Sequence, residues 1–223
     1  MPLAGKGMLL TSMDIDASDD AEFNRWYDRE HLEERVAIEG FLEARRYIAH
    51  QGSPKYLCLY STTTIDVLDS LAYKARLASP TEWSKKTMAR FKNMIRAVAR
   101  ITISRGQGRG AALGIVRLRP IASSQDDLRA ALGDALDPKR LDGIISMHLI
   151  ESDPALSGPT KEIPSAASAG AGDWFALIDG TGVNAVSAAF SAGFAHDEPF
   201  KSLTISTGIY RLMWDLSKSD IPA

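Results

Sequence analysis

The chain has 223 residues, of which 45% are hydrophobic, and a formal net charge of −2 at pH 7. This length and apolar fraction suit one large or two small globular domains and exclude a disordered chain, while the slight acidity argues against a nucleic-acid partner. No apolar run reaches the roughly 18 residues of a membrane span, and the N-terminus lacks the layout of a signal peptide, so we expect a cytoplasmic protein without a membrane partner.

The first two predicted elements are a strand and a long helix. The alternation of side chains over residues 7–16 is typical of a strand, and residues 23–38 carry apolar side chains at helical spacing. Glu22 follows Asp19 by three residues, which predicts a capping box at the start of the helix. Gly40 predicts its end, because glycine favours the left-handed conformation that terminates helices.

One face of this helix mixes apolar with polar side chains. At about 100° per residue, a third of the circumference collects seven residues, with Trp26 beside them. They are Phe23, Tyr27, Glu30, His31, Glu34, Ala37 and Ile38. A phenol, an imidazole and carboxylates are costly to bury without partners, so this face is typical of a helix that covers a partly wet cleft. The helix is therefore the first candidate for a functional site.

The rest of the first half completes a ferredoxin-like pattern. Strands over 41–50 and 55–64 form a predicted hairpin, and its first strand carries Phe41, Glu43, Arg45 and Tyr47 on one face. Helices over 65–78 and 82–95 and a strand over 98–104 follow. The resulting order of strand, helix, strand, strand, helix, strand predicts an α+β fold with a four-stranded antiparallel sheet.

A second copy of this order follows a glycine-rich segment. Residues 106–111 are predicted to be a linker, because a dinucleotide-binding loop would open a helix and a strand-like run follows here. The predicted elements beyond it are strands over 113–119, 143–150, 173–179 and 206–216, helices over 124–136 and 183–195, and a long mobile loop over 153–172. We therefore expect two tandem ferredoxin-like βαββαβ modules, residues 1–105 and 112–223, whose sheets pair within one chain and enclose a cavity.

The first-helix motif also resembles a known superfamily. Its residues are Phe23, Trp26, Tyr27, His31 and Glu34, followed by Gly40-Phe41 and the strand Ala44-Arg45-Arg46-Tyr47. Over residues 8–64 the chain resembles the dimeric α/β barrel superfamily, nearest to its EthD-like members. That superfamily includes cofactor-free monooxygenases acting on anthrone-like aromatics, muconolactone isomerase, polyketide cyclases and haem enzymes. The resemblance implies a small hydrophobic or aromatic ligand in a barrel cavity, and only the first half carries the motif.

The candidate catalytic residues come from this motif and the strand beside it. His31 would act as general base, Tyr27 and Glu34 would orient it, and Arg45 would stabilise an oxyanion. The candidate ligand-binding residues are Trp26, Glu30, Tyr47, Tyr60 and His148, the last aligning with Arg45 in the second half. The alternative is a non-catalytic ligand-binding or assembly protein, in which the polar residues only fasten the helix to its sheet.

We expect neither a metal nor another cofactor. The four histidines, His31, His50, His148 and His196, lack the spacing of a metal site, and the superfamily's haem enzymes alone give little reason to expect haem. Cys58 lies in a strand-like run and is expected to be an inert packing residue. The sequence leaves open whether two chains form a homodimer through outward helices or edge strands.

Overall fold

The structure is a computed structural model that describes residues 3–159, 169–192 and 200–221. In these parts of the chain eight strands close into one antiparallel barrel in the order β1-β3-β2-β8-β5-β7-β6-β4. The strands are β1 (Gly7–Asp14), β2 (Phe41–Gln51), β3 (Tyr56–Thr62), β4 (Lys92–Gly106), β5 (Ala112–Leu118), β6 (Ile144–Ser152), β7 (Trp174–Gly180) and β8 (Thr204–Ser217). The prediction of an α+β protein with antiparallel sheet is confirmed, and the sheet is a closed barrel.

The described helices pack on the outside of the barrel and at its ends. They are α1 (Asp20–Trp26), α2 (Leu32–Val36), α3 (Leu71–Ala78), α4 (Glu82–Met88), α5 (Gln125–Ala135), α6 (Pro154–Ser157), α7 (Val183–Ser191) and α8 (Phe200–Leu203). Short 3₁₀ turns lie at Ile65–Asp69, Ala122–Ser124, Pro138–Arg140 and Lys218–Asp220. None of the described helices is long and apolar enough to cross a membrane.

The strands of the two halves follow the same pairing order. The first half contributes β4-β1-β3-β2 and the second β8-β5-β7-β6, and the halves meet where β2 pairs with β8 and β4 pairs with β6. Gly40 and Gly143 both precede the second strand of their half with positive φ, 84° and 74°. Their carbonyl oxygens accept hydrogen bonds from the amides of Thr63 and Thr181, each at 2.8 Å.

Side chains fill the inside of the barrel. The buried apolar residues there are Leu3, Met8, Leu10, Tyr47, Leu57, Leu59, Ala97, Ala99, Ile101, Leu113, Ile115, Ile150, Phe175, Leu177 and Tyr210. A hollow of about 20 Å³ lies beside Ser12, Arg117 and Tyr210, which is room for about one water molecule. Within the described residues, side chains thus occupy most of the interior around this hollow, and the aromatic ligand that the sequence analysis expects inside the barrel stays a prediction.

Three elements differ from their predicted bounds. The helix predicted over 82–95 ends at Met88, and β4 begins at Lys92, because this stretch pairs with β1 as far as Asp14. Leu71, predicted on the apolar face of its helix, is 87% exposed. The helix predicted over 183–195 ends at Ser191, and residues 193–199, which include His196, lie outside the described residues.

The glycine-rich linker and the described part of the predicted loop are fastened to the barrel. Arg109 forms ion pairs with Glu43 and Asp215 across one end of the barrel. Within the loop predicted over 153–172, α6 is held to β4, where the amide of Val98 donates to Ser157 Oγ at 2.9 Å. Residues 160–168 of that loop lie outside the described residues.

Candidate functional site

The first helix contains a π-helical turn at the centre of the candidate motif. α1 ends at Trp26, residues Tyr27–His31 form the π turn, and α2 begins at Leu32. A π turn holds one more residue than an α-helical turn, and such turns occur often at functional sites. Its presence changes which side chains face the sheet in the second part of the helix.

Beyond the π turn, the buried face differs from the predicted face. Regular helical spacing placed Glu34 and Ala37 toward the sheet, whereas Leu32, Arg35 and Val36 are the buried residues of α2. The extra residue turns α2 by about 100° relative to α1, the angle that one residue spans in an α-helix. Arg35 is therefore a residue of the candidate site that the sequence analysis missed, and a periodicity analysis that assumes one regular helix gives no signal for it.

The predicted capping box at the start of the helix is wrong. Asp19 occupies the N-cap position in a helical conformation, and its side chain makes no capping hydrogen bond. Its carboxylate instead accepts a hydrogen bond from Arg90 at 2.9 Å. Glu22 accepts from the indole of Trp83 at 2.8 Å. The two acidic side chains fasten the helix to the α4 region in place of capping its first turn.

His31 is buried between the helix and the outer face of the barrel, with 8% of its surface exposed. Its ring stacks on Trp26 at 4.1 Å between centroids and meets the ring of Tyr27 edge-on at 5.1 Å. Its Nδ1 atom makes no hydrogen bond with any residue of the described ranges. Burial, with Arg35 and Arg46 nearby, holds the pKa of His31 well below 6.5, so the imidazole is neutral at neutral pH.

Tyr60 on β3 stands opposite His31. The two ring centroids are 6.4 Å apart and nearly perpendicular. The buried hydroxyl of Tyr60 has no hydrogen-bond partner within the described ranges. Burial raises the pKa of this hydroxyl well above its ordinary value. Burial also raises the pKa of the neighbouring Cys58 to about 12, so its thiol stays protonated and unreactive at neutral pH.

Trp26 and Glu30 tie the helix to α4. Glu30 Oε1 accepts hydrogen bonds from the Trp26 indole at 3.1 Å, the Thr81 hydroxyl at 2.7 Å and the Ser84 hydroxyl at 2.9 Å. The indole also reaches Ser84 Oγ at 3.1 Å. A carboxylate oxygen that accepts three donors has little capacity left for a ligand, so these contacts give Glu30 a fastening role.

Arg46 is a second residue that the sequence analysis left outside its site. Its guanidinium donates to Asp28 and to Asn24, both at 2.9 Å, and lies 4.0 Å from the ring centroid of Tyr27. Arg46 therefore joins β2 to the first helix. The alternation of the strand could have found it, because Arg46 and Arg45 must point to opposite faces.

Arg45 and the residues near it lie on the inner face of the barrel. Arg45 is 2% exposed and donates to Glu43 Oε1 at 2.7 Å. Asp179 Oδ2 lies 3.9 Å from Arg45 Nη1 and 3.6 Å from His148 Nε2. Tyr47 belongs to the same interior. Burial alone would lower the pKa of Arg45, but Tyr47, Glu43 and Asp179 raise it above its ordinary value.

The structure thus divides the predicted site residues into two groups on opposite faces of the sheet. His31, Tyr27, Trp26, Glu30 and Tyr60 lie between the first helix and the sheet, whereas Arg45, Tyr47 and His148 lie inside the barrel. Glu34 stands at the edge of the first group, with Oε1 4.0 Å from Arg76 and a buried Oε2 that has no hydrogen-bond partner in the described ranges. Arg45 is therefore not beside His31.

The searched, described part of the chain contains no group of three or more histidine, cysteine, aspartate or glutamate side chains that could hold a metal ion. Inside the barrel, the acidic side chains of Glu43 and Asp179 lie beside Arg45. The positive charge that a metal ion would bring to these carboxylates is already supplied by the guanidinium.

The fold is that of several solved structures. An anthrone oxidase-like protein superposes with a TM-score of 0.69 at 12% identity, covering 98% of this chain and 96% of that one. A candidate monooxygenase from Lactobacillus acidophilus gives 0.56 at 8% identity, covering 96% and 97%. A haem-binding protein from Thermus thermophilus gives 0.53 at 9% identity, covering 97% and 93%. At these identities the likeness shows the fold alone. No protein-family model and no curated protein matches the sequence.

Proposed function

We propose that this chain is an EthD-like member of the dimeric α/β barrel superfamily that binds a small aromatic molecule between its first helix and the barrel. The proposal rests on the first-helix motif and on the polar residues that lie in this layer. The fold shared with an anthrone oxidase-like protein supports an anthrone-like substrate. The proposed ligand site is at the outer face of β3, whereas the sequence analysis expected the ligand inside the barrel.

The observation that carries the proposal is the state of His31. Its imidazole is neutral and buried, and its Nδ1 has no hydrogen-bond partner within the described ranges. A buried polar atom without a partner is costly, and proteins keep few of them outside functional sites. A neutral imidazole in an aromatic environment is suited to accept a proton from a weakly acidic C–H group of a bound ring system.

The proposed reaction is the cofactor-free oxidation of an anthrone. His31 Nδ1 takes a proton from the CH₂ carbon opposite the ring carbonyl, and the resulting enolate gives its electrons to O₂. A C–O bond forms at that carbon to give a peroxide anion, which takes the proton back from His31 and becomes a hydroperoxide. Loss of water then leaves a second carbonyl, so anthrone and O₂ give anthraquinone and water. O₂ is the oxidant, and the carbon that loses its hydrogens is oxidised.

Entry of a ligand requires movement of the cover formed by α3 and α4. Aromatic rings of Trp26, Tyr27 and Tyr60 occupy the space around His31. The fully buried residues of this cover are Tyr73 of α3 and Ser84 and Thr87 of α4, while Leu77, Trp83 and Met88 pack at the edge of the core and Glu30 is hydrogen-bonded to α4 through Ser84. Elements with few buried apolar contacts open at low free-energy cost. We therefore expect this cover to move when a ligand binds.

The test is the oxidation of anthrone by the full chain, followed by anthraquinone absorbance and O₂ uptake. The wild-type protein is expected to exceed the uncatalysed rate, and His31→Gln to lose about 10²- to 10⁴-fold, the usual contribution of a general base. His50→Gln is the matched control, because His50 is exposed at the end of β2. Equal rates for wild type and His31→Gln, or a wild-type rate no higher than background, would contradict the proposal.

The hydrogen bonds of Glu30 and Arg46 favour one alternative, a non-catalytic binding or assembly protein. Both residues fasten the helix, as that alternative requires. It differs from the enzyme in the expected behaviour of His31→Gln. A fastening role would lower the melting temperature and leave ligand binding per folded molecule unchanged, whereas the catalytic role lowers turnover in a folded protein.

We also infer that the chain arose by tandem duplication of one ferredoxin-like module. Support comes from the matching strand orders and from the matching contacts of Gly40 and Gly143. A further hydrogen bond recurs at corresponding positions of the two halves. The amide of Ala49 donates to the carbonyl oxygen of Lys55, and the amide of Ser152 donates to the carbonyl oxygen of Asp173. In this interpretation the second copy completes the barrel and the first copy carries the site.

A further inference from the structure

Arg35 is a buried cation that no carboxylate of residues 3–159, 169–192 and 200–221 pairs with. It lies in α2 beside the site, with 5% of its surface exposed. Its Nη1 makes no hydrogen bond, and no aspartate or glutamate of the described ranges forms an ion pair with it. Removing a guanidinium from water is costly unless an anion offsets the loss, so buried arginines are normally paired. Two other buried arginines of the first half follow that rule, Arg45 with Glu43 and Arg46 with Asp28, and a third, Arg96, donates to the backbone carbonyl of Leu156 at 2.7 Å.

The charge of Arg35 acts on the candidate site. Burial is the main cause of the low pKa of His31, and Arg35 is the next. Burial raises the pKa of Tyr60, and Arg35 opposes that rise. Arg35 follows His31 by four residues and is buried on the same helix, and side chains four residues apart are neighbours on one helix face, so the guanidinium lies on the His31 side of the helix. Three buried polar atoms without hydrogen-bond partners in the described ranges, Arg35 Nη1, His31 Nδ1 and Tyr60 Oη, thus belong to one layer of the fold.

Glu34 is the nearest acidic residue in sequence and does not serve as the counterion. Its Oε2 is itself without a hydrogen-bond partner in the part of the chain described, and its Oε1 lies 4.0 Å from Arg76. The π turn separates the two neighbours, because it turns Arg35 toward the sheet and leaves Glu34 at the edge of the layer. Glu34 therefore does not balance the charge of Arg35, and no other carboxylate of the described ranges forms an ion pair with it.

We infer, on the basis of the proposed function, that Arg35 binds an anionic oxygen of the ligand, so that the ligand carries a carboxylate or an acidic hydroxyl on its aromatic rings. A guanidinium can donate two parallel hydrogen bonds to such a group. The Tyr60 hydroxyl can donate a further bond to the same oxygen. In the proposed reaction, the anthrone carbonyl oxygen becomes an acidic hydroxyl or enolate oxygen of this kind when His31 removes the proton. Arg35 would then stabilise the oxyanion, which is the role that the sequence analysis gave to Arg45.

The test compares two probes that differ only in charge, anthracene carboxylate and anthracene carboxamide. Binding to the full chain is measured by fluorescence titration at neutral pH. The wild-type protein is expected to bind the carboxylate at least about 10-fold more tightly than the amide, since a charge-assisted bidentate contact exceeds a neutral one. Arg35→Met is expected to remove this preference and to leave the affinity for the amide unchanged.

Two further variants separate the role of the charge from that of the fold. Arg35→Lys keeps the charge without the planar fork and is expected to retain part of the preference. Arg29→Met is the matched control, because Arg29 lies in the same helix with its side chain exposed, and the preference should stay as in wild type. The melting temperature of Arg35→Met is expected to stay level or rise, because the variant removes an unpaired buried charge.

The outcomes distinguish this inference from the proposed function. If the wild-type protein binds both probes with equal affinity and His31→Gln still reduces turnover, the role of Arg35 is overturned and the proposed site is retained. An unchanged carboxylate preference in Arg35→Met would do the same. Binding of neither probe would overturn both, and a carboxylate preference without any anthrone turnover would retain the anion site and reject the catalytic role.

Discussion

At the scale of single residues, His31 and Arg35 define the candidate site. His31 supplies a neutral nitrogen held in place by ring contacts with Trp26 and Tyr27. Arg35 supplies a positive charge that has no carboxylate partner in the described ranges. A base and a cation are the two groups needed to form and hold an enolate, and here they lie in one layer.

The low pKa of His31 predicts a specific dependence of stability on pH. In the unfolded chain the imidazole has its ordinary pKa of 6.5, whereas burial lowers it in the folded protein. Below pH 6.5 the unfolded state therefore binds more protons, and the free energy of unfolding falls as the pH falls. The loss is expected to approach about 1.4 kcal/mol per pH unit until the folded-state pKa is reached.

Denaturant unfolding between pH 7 and pH 5 measures this effect. The free energy of unfolding of wild type is expected to fall more steeply than that of His31→Gln, and the difference between the two slopes belongs to His31. His50→Gln should keep the wild-type slope, because His50 is exposed. Identical slopes for wild type and His31→Gln would show that the buried imidazole accepts a proton at its ordinary pKa.

At the scale of elements, the π turn decides which residues reach the site. The sequence predicted the helix, its approximate ends and the inward position of Tyr27 and His31. It did not predict the inward position of Arg35, because one extra residue in a turn leaves the composition and the apolar pattern almost unchanged. Glu34, one position earlier, was expected in its place.

A β-bulge has a similar effect on the strand that follows. Strict alternation placed Phe41 with Glu43, Arg45 and Tyr47, whereas Phe41 packs in the layer under the helix together with Ala44. The pairing of β2 with β3 shifts between Phe41 and Glu43, so the residues before the shift change faces. A single inserted residue reverses the side-chain alternation of a strand, and the sequence carries no clear mark of it.

The contact of the first helix with α4 predicts the effect of Glu30→Ala. Removing this carboxylate leaves the buried Ser84 hydroxyl without its acceptor and the Trp26 indole with Ser84 Oγ as its only acceptor in the described ranges. The expected loss is about 1–3 kcal/mol of unfolding free energy, the cost of leaving buried donors unsatisfied. Faster hydrogen exchange of the α4 amides is expected as well. Glu33→Ala is the control at an exposed position of the same helix, and an equal change in both variants would refute the fastening role of Glu30.

At the scale of the whole molecule, the closed barrel has its side chains packed inside, and the proposed ligand site lies outside it. The two sets of four strands bury their inner faces against one another and fill the interior with side chains. The order of predicted elements was enough to indicate two similar halves and antiparallel sheets. The packing inside the barrel was beyond the sequence, because it depends on strand tilt and on which residues meet across the interior.

The polar residues inside the barrel have a separate role from those under the helix. Arg45, Glu43, Asp179 and His148 come from β2, β6 and β7, and Arg109 of the linker joins them at Glu43. The charges of Arg45 and Arg109 offset those of Glu43 and Asp179, which is the condition for keeping ionised groups in a closed interior. They are suited to hold the two halves and the linker together.

The most direct measurement is the position of a bound probe in a crystal structure of the full chain grown with anthracene carboxylate. The account predicts ring density between the first helix and the outer face of β3, with the carboxylate at Arg35 and the ring edge at His31, and a cover formed by α3 and α4 that has moved. Density inside the barrel, or a probe elsewhere on the surface with Arg35 bound to a carboxylate of the protein, would contradict it.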